Sequence, residues 1–440
     1  MRITNKNISE IKIAWNLELL FSIADRFSGV CLFTSADDNN RGRNIVCINP
    51  VIKMDSPEKV DTVLKENSDM SSEFPLVAGY ISYDYKDKLE EPGLYSDKHD
   101  HMFPEFRFAV YEYYIIAENS NKDSLKLITL EFDSSHIKAD PDTFFSRTVE
   151  TEHREPVTKY SDTSLDKLHF EQGVRSIKNY IKSGDIYQVN LTRKISGTTN
   201  IEPLDLALRL KDSNFIEFGV FANIDGKYII STSPERFFQI REGILTSEPI
   251  KGTIRRSSDT KRDDLNLSNL MKSRKNMAEL AMIVDLLRND MNKVCSEVKV
   301  TGFPLSMKLK NVYHLYAGIE GKLNTDSFTD IISALFPGGS ITGCPKIRAC
   351  QIIEELEPEG RGPYTGNYGY ICFNGDMDFN IMIRTLLYDK GKISFSVGGG
   401  ITLLSNPEEE FEETIHKAKN IYDASCMEEI WEERYCLTGR

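Results

Sequence analysis

The sequence predicts an antiparallel α+β protein, and three features carry that expectation. Runs of strands are broken by single helices rather than alternating with them one for one, which argues against a parallel βαβ sheet. Two-residue turn signals join neighbouring strands, as at the Asp225-Gly226 tip of "FGVFANIDGKYIISTS". The 440 residues, 40% hydrophobic and 28% charged, suffice for about three average domains or one large two-layer fold with a sizeable core.

Residues 1 to about 120 read mostly as short strands with polar turns. "GVCLFTSADDNNRGRNIVCINP" makes two strands around a long turn, and "LVAGYISYDY" and "RFAVYEYYIIAE" make two more. The charged, proline-punctuated stretch 137–163 is the candidate linker between an N-terminal unit over 1–150 and a second unit over 160–430. A helix opens at Ser164 or Asp166, runs through "LDKLHFEQGVRSIKNYIKSG" and stops at Gly184. The strand "DIYQVNLTRKI" and the Asp225-Gly226 hairpin follow, and a second helical block covers 264–291. The last third gives a helix after "FPGGSITGCPK", hairpins over 366–400 and a final helix from about 407.

Bulk properties exclude several classes of function. A formal charge of −13 argues against a nucleic-acid surface, which needs clustered Lys and Arg to neutralise phosphates. No run of 18 apolar residues exists, and "IKIAWNLELLFSIA" is broken by Lys12, Asn16 and Glu18, so neither a membrane span nor a secretion signal is expected. Eight cysteines without a CxxC pair suggest neither zinc nor a disulfide framework. They read as reduced thiols of a cytoplasmic protein.

Chemistry is concentrated in a few segments. "STSPERFFQIREGILTSEPIKGT" reads as strand, turn at Glu242-Gly243 and return strand. A two-residue turn sets Lys251 across from Pro234; a three-residue turn sets it across from Glu235. Either register brings Glu235 and Lys251 within about 5 to 8 Å, as a surface ion pair or as an acid/base beside a nucleophile. A nucleophilic lysine needs its neutral form, about 0.04% at pH 7 for an unperturbed amine, so its pKa has to be lowered.

"FPGGSITGCPK" feeds a helix whose first amides, with Lys346 beside them, form an anion site. Gly338 and Gly343 have the spacing of a nucleotide phosphate loop, but Cys344 and Pro345 replace the Lys and Ser or Thr that such a loop needs. The run Gly398, Gly399, Gly400 is either a tight bend or a place where a ligand meets bare backbone. Arg384, alone among apolar residues in "NIMIRTLLY", marks a buried ion pair or a carboxylate clamp. Glu279 interrupts an apolar helix and needs a partner or a metal. Glu413 projects opposite the stripe of Phe411, Ile415, Ala418 and Tyr422, so helix geometry alone leaves it solvated.

In this order "GDIYQVNLT", "STSPERF", "PIKGT", "AELAMIVDLLRND", "YHL", "FPGGSITGCPK", "IMIRT", "GGGI" and "EETIHKA" resemble the motifs of the chorismate-utilising enzymes. The likeness is strong over about 165–425 and looser before. It implies one interwoven fold of two packed antiparallel sheets flanked by helices, so that 137–163 separates subdomains rather than independent units. It also implies a magnesium ion held by Glu279 and Glu413, a choice that suits a dianionic substrate meeting an acidic protein. Gln188 stands where the isochorismate- and salicylate-forming members have a water-activating lysine, which implies ammonia as the nucleophile. Lys251 stands where anthranilate-forming members have alanine in "PIAGT", which implies 4-amino-4-deoxychorismate as the product and anthranilate as the alternative.

In members with this lysine it attacks C2 of chorismate, and the glutamate matching Glu235 protonates the departing 4-hydroxyl. His314 matches a histidine that acts by hydrogen bonding and electrostatics. Gly252, Thr253, Tyr364, Arg384 and Gly398 to Gly400 match positions that contact chorismate. Ammonia is expected from glutamine through a separate amidotransferase subunit, because the chain lacks a GxCxG motif. Ser35 in "LFTSADD" matches a tryptophan-binding segment, although "SNFIEFGV" lacks both prolines of the second half of that pocket.

Overall fold

The computed structural model describes residues 2–33, 43–70, 72–90, 98–100, 102–133, 140–145, 155–213, 217–308 and 312–427. The N-terminal part forms β1 (Ile3–Lys12), α1 (Leu17–Arg26), β2 (Val30–Phe33), β3 (Arg43–Met54), α2 (Pro57–Glu66), β4 (Pro75–Ile81), β5 (Phe106–Glu118) and β6 (Ser124–Phe132). Next come β7 (Thr158–Thr163), α3 (Lys167–Ser183), β8 (Gln188–Thr199), α4 (Pro203–Ser213), β9 (Phe218–Ile224), β10 (Lys227–Ser233), β11 (Arg236–Arg241), β12 (Ile244–Ser247) and β13 (Ile250–Arg255). They are followed by α5 (Thr260–Lys272), α6 (Arg274–Met291), β14 (Cys295–Lys308), β15 (Val312–Leu323) and α7 (Phe328–Leu335). The chain then forms β16 (Gly343–Cys344), α8 (Lys346–Leu356), β17 (Asn367–Cys372), β18 (Met377–Asn380), β19 (Thr385–Asp389), β20 (Lys392–Ile401) and α9 (Pro407–Ser425).

Local chemistry sets several of these boundaries as expected. Asp166 accepts from the amide of His169 at 2.9 Å and caps α3, and Gly184, with φ +83°, ends it in the left-handed conformation. Asp225 and Gly226, both at positive φ, form the two-residue turn between β9 and β10, whose register starts at Lys227↔Ile224. Helices α1, α2, α4 and α7 are not among the expected elements. Asn16, which breaks an apolar run, is the cap of α1 and accepts from Leu19 at 2.8 Å. The block 264–291 is two helices, because Ser273 ends α5 and caps α6. The linker is shorter than expected: its last residues are β7, paired with β8.

The ladders between these strands are antiparallel and join all twenty into one hydrogen-bonded network. The two layers are its arms, and they meet on β5. One arm runs from β5 through β3, β2, β9, β10, β19 and β20 to β8. The other runs through β4, β17, β18, β11, β12 and β15 to β13 and β14. Because β2 pairs with β9 and β4 with β17, strands from before residue 150 and after residue 160 share ladders.

Alternation places the core. Ile45 and Cys47 of β3, Val220 and Ala222 of β9 and Ile229 of β10 face the other arm, meeting Tyr80, Phe238, Ile319 and Phe379. The residues between them, Val46, Phe221 and Ile230, face outward onto Phe21 of α1, Leu206 of α4 and Ile421 of α9. Burial on both faces contributes about 1.5–3 kcal/mol for each large apolar side chain. Among the described residues, no helix is long and apolar enough to cross a membrane.

Candidate active site

Lys251 comes inward because its strand is irregular. β11 and β12 pair through Arg241↔Ile244, so the turn at Glu242-Gly243 has two residues and would align Lys251 with Pro234. The last pair of that ladder is Gln239↔Thr246, however, and β13 pairs with β15 instead. There Ile250 faces Tyr316 and Thr253 faces His314, which leaves Lys251 and Gly252 opposite a single residue. Such a bulge re-aims a side chain. Gly252 takes φ +78°, and a Cβ on it would lie 2.8 Å from the Asn276 side chain of α6. Gly252→Ala is expected to cost about 1–2 kcal/mol in chemical denaturation, and activity should fall further as Lys251 turns away.

The ammonium of Lys251 donates to the carbonyl of Ser340 at 3.1 Å, in the short turn Gly339–Ile341. Burial lowers its pKa, opposed by the charges of Glu235, Glu279 and Glu413. Glu235 is buried between β10 and β11. Burial raises its pKa, while Lys251, the Ser340 hydroxyl and the Ile250 amide pull it back. Desolvation thus drives both members toward neutrality, the acid protonated and the amine free.

His314 is buried, and its Nδ1 shares a 2.7 Å hydrogen bond with Thr253 Oγ1. Burial, helped by the nearby Arg384 charge, lowers its pKa from 6.5 to about 4, so it is neutral at pH 7. Because the folded value lies below the unfolded one, its contribution to stability is present above pH 6.5 and lost as pH falls toward 4. The loss should be about 3 kcal/mol in urea titrations across that window and absent from His314→Asn.

Arg384 sits between β18 and β19 with φ +51°, its carbonyl held by the Thr232 amide at 3.1 Å. Burial alone lowers its pKa, with no acidic group among the described residues offsetting it. Of the two readings open for it, an ion pair is therefore not what is seen. Tyr364 is buried in the loop after α8, with Arg361 and Glu357 as charged neighbours.

The three glycines are not a bend. Gly398, Gly399 and Gly400 continue the straight ladder of β20 against Thr192, Leu191 and Asn190 of β8. Their bare backbone makes room for side chains from neighbouring elements. A Cβ on Gly400 would lie 2.3 Å from Gln188 Nε2, and one on Gly399 would lie 3.4 Å from Glu410 Oε2 and 3.7 Å from Glu413 Oε1.

Glu279 on α6 and Glu413 on α9 face each other closely enough for Glu413 to raise the pKa of Glu279, after burial. Glu279 Oε1 is a buried atom with no hydrogen-bond partner among the described residues. Glu413 is 51% exposed and lies 2.7 Å from Lys417. The solvated face and the acidic site thus belong to one polar cluster that reaches solvent at Glu413. An orphaned carboxylate oxygen beside a second carboxylate fits a hard divalent cation. Among the described residues, no group of three or more His, Cys, Asp or Glu is arranged to hold a metal, so water and substrate oxygens would complete such a site.

Two expected residues are not in this constellation. Lys346 is 2.6 Å from Asp290 and donates to the Leu335 carbonyl at 2.8 Å. Its charge is already engaged, and the expected anion site at α8 is corrected accordingly. Ser35 lies outside the described residues. Conversely, Ser340, Glu410, Lys275 and Lys417 join the cluster unforeseen. The helical spacings Glu410 to Glu413 and Glu413 to Lys417 signalled two of them; nothing local signalled Ser340.

Over residues 30–423 the chain matches the family model described as chorismate binding enzyme. Aminodeoxychorismate synthase component 1 of Klebsiella aerogenes is 33% identical over 355 residues, covering 78% of this chain and 75% of its own. Anthranilate synthase component 1 of Saccharolobus solfataricus is 38% identical over 269 residues, covering 60% of this chain and 64% of its own. The menaquinone-specific isochorismate synthase of Escherichia coli aligns with a TM-score of 0.76 at 19% identity, over 97% of this chain and 96% of that one, a likeness of fold alone.

Proposed function

The chain belongs to the chorismate-binding enzyme family, and on that premise we propose that it replaces the 4-hydroxyl of chorismate by ammonia, giving 4-amino-4-deoxychorismate and water. The observation that carries this reading is the bulge at Gly252, which turns Lys251 inward beside Glu235.

The neutral Lys251 amine forms a bond to C2 as both ring double bonds shift, C1=C2 to C1=C6 and C5=C6 to C4=C5, and the C4–O bond breaks. Glu235 supplies the proton with which the hydroxyl leaves as water. Ammonia then bonds to C4, both double bonds return and the C2–N bond to Lys251 breaks. Glu235 takes back a proton from the incoming amine, so acid and nucleophile end as they began. Arg384, desolvated and without an acidic partner among the described residues, supplies the charge for a substrate carboxylate. His314, neutral and fixed by Thr253, offers Nε2 for a hydrogen bond. Gln188, whose buried Oε1 has no hydrogen-bond partner among the described residues, can accept from ammonia but cannot act as the base that water requires.

Magnesium bound between Glu279 and Glu413 would neutralise the substrate carboxylate and orient the ring. Ammonia from a glutamine amidotransferase subunit is part of the same proposal, supported by the "component 1" name of the relatives. A cytoplasmic location goes with a reaction on a small dianion. Anthranilate formation is the second reading, favoured by the likeness to anthranilate synthase component 1. The test is to incubate the purified chain with chorismate, magnesium and ammonium. A non-aromatic aminated product is expected; fluorescent anthranilate with pyruvate would move the assignment to the second reading, and unconsumed chorismate would sink both.

A further inference from the structure

Beneath the site lies a buried ion pair that the proposed mechanism does not use. Glu357, just past α8, and Arg361 are both buried. The guanidinium forks onto the carboxylate, Nε to Oε2 at 2.9 Å and Nη2 to Oε1 at 2.7 Å. Its remaining bonds go to backbone and to one hydroxyl. Nη1 donates to the Ile341 carbonyl at 2.9 Å and to Thr365 Oγ1 at 3.4 Å, and Nη2 donates to the Asn190 carbonyl at 2.9 Å. Glu357 Oε1 also accepts the Thr192 amide at 2.9 Å. Asp84 fixes the loop by accepting the amides of Arg361 and Gly362 at 3.1 and 3.0 Å.

These contacts fall where the sheet has a gap. On the side of β8 away from β20, β16 pairs only with Gln188 and Val189, and β7 begins pairing only at Ile195. The side chains of Arg361 and Glu357 supply the bonds to Asn190 and Thr192 that a neighbouring strand would give. By the same bonds they tie β8, the partner of Gly398 to Gly400, to Ile341, the residue after the carbonyl that receives Lys251.

We propose that the Arg361–Glu357 pair is a positioning element of the active site, one that stands in for a missing strand and sets the Ser340 turn against Lys251 and Glu235. The inference rests on the reaction proposed above. It predicts a loss mainly in kcat, because Arg384 and the metal-site carboxylates, which would meet the substrate's charges, lie elsewhere; the nearby Tyr364 and the β20 glycines should change KM by no more than about threefold.

The test is the double variant Arg361→Met with Glu357→Met, assayed with chorismate and ammonium. Replacing both partners of a buried pair by apolar side chains often preserves folding, but methionines cannot hold the Ile341, Asn190 and Thr192 backbone groups. Misplacing the turn by about 1 Å should lower kcat by about 10²-fold with KM for chorismate within about threefold. Arg361→Lys, which keeps the charge but loses the fork, should show the same split, and it decides the matter if the double variant does not fold. A folded variant with kcat within about threefold of the unsubstituted chain overturns the proposal, whatever its Tm. Amide hydrogen exchange over 188–193 and 338–343 separates this from failure of the proposed reaction. If the unsubstituted chain leaves chorismate untouched, faster exchange there in Arg361→Lys still supports the staple, and unchanged exchange overturns it.

Discussion

Lys251→Ala is expected to abolish the covalent adduct with chorismate and to lower kcat by about 10²-fold or more, a loss of about 2.7 kcal/mol of transition-state stabilisation. The residual rate should remain because Glu235, Arg384 and the carboxylate pair stay in place, and they can still activate and orient the 4-hydroxyl. Intact-protein mass after brief exposure to chorismate, without ammonium, reads the adduct directly. The unsubstituted chain should gain chorismate less water, and the variant nothing. Full activity in the variant, with no adduct on the unsubstituted chain, would remove the reason for preferring C4 amination over anthranilate formation. Lys251→Arg sharpens the test, since a guanidinium keeps the charge near Glu235 but cannot become a neutral nucleophile.

How much of this was legible in the sequence depends on the range of the forces involved. Caps and two-residue turns act within a few residues, so α3 and the β9–β10 hairpin could be read from Asp166, Gly184 and Asp225-Gly226. The one-residue ambiguity over Lys251 could not be resolved, because the answer lies in a third strand. The hairpin register alone points at Pro234, yet β13 leaves β11 for β15 and the bulge at Gly252 sets the direction of the side chain. Glu413 shows the same limit. Its helix face is solvated, as the spacing says, but Glu279 of a distant helix lies across from it. The engagement of Lys346 is not visible locally because its partner, Asp290, is 56 residues away, and the two readings of the β20 glycines stay open in the sequence because their neighbours come from β8 and α9. The ordered motifs point to the family, which the match over residues 30–423 shows, because they carry the outcome of those long-range contacts.

Glu235→Gln is expected to lower kcat by about 10²–10⁴-fold, the range for a general acid, while leaving Lys251 able to form adduct slowly. The two groups form a coupled pair that must hold one proton in a particular way. An ion pair of carboxylate and ammonium is inert in both roles; carboxylic acid beside free amine is competent in both. Burial raises the pKa of Glu235 and lowers that of Lys251, so desolvation favours the competent form even though total charge is the same. Activity of the unsubstituted chain should then fall on the alkaline side as the shared proton is lost, with an apparent pKa belonging to the pair. That limb should disappear from the residual activity of Glu235→Gln. Stability of the unsubstituted chain should also fall as pH rises. With its folded pKa above the unfolded one, Glu235 contributes stability below the unfolded value that is lost as pH rises through the folded value. Glutamine, which cannot ionise, escapes that loss, so the variant should have a higher Tm than the unsubstituted chain at pH 8 and a smaller advantage at pH 4. A variant that is both fully active and unchanged in Tm between those pH values would show that Glu235 carries neither the proton nor the desolvation cost assigned to it.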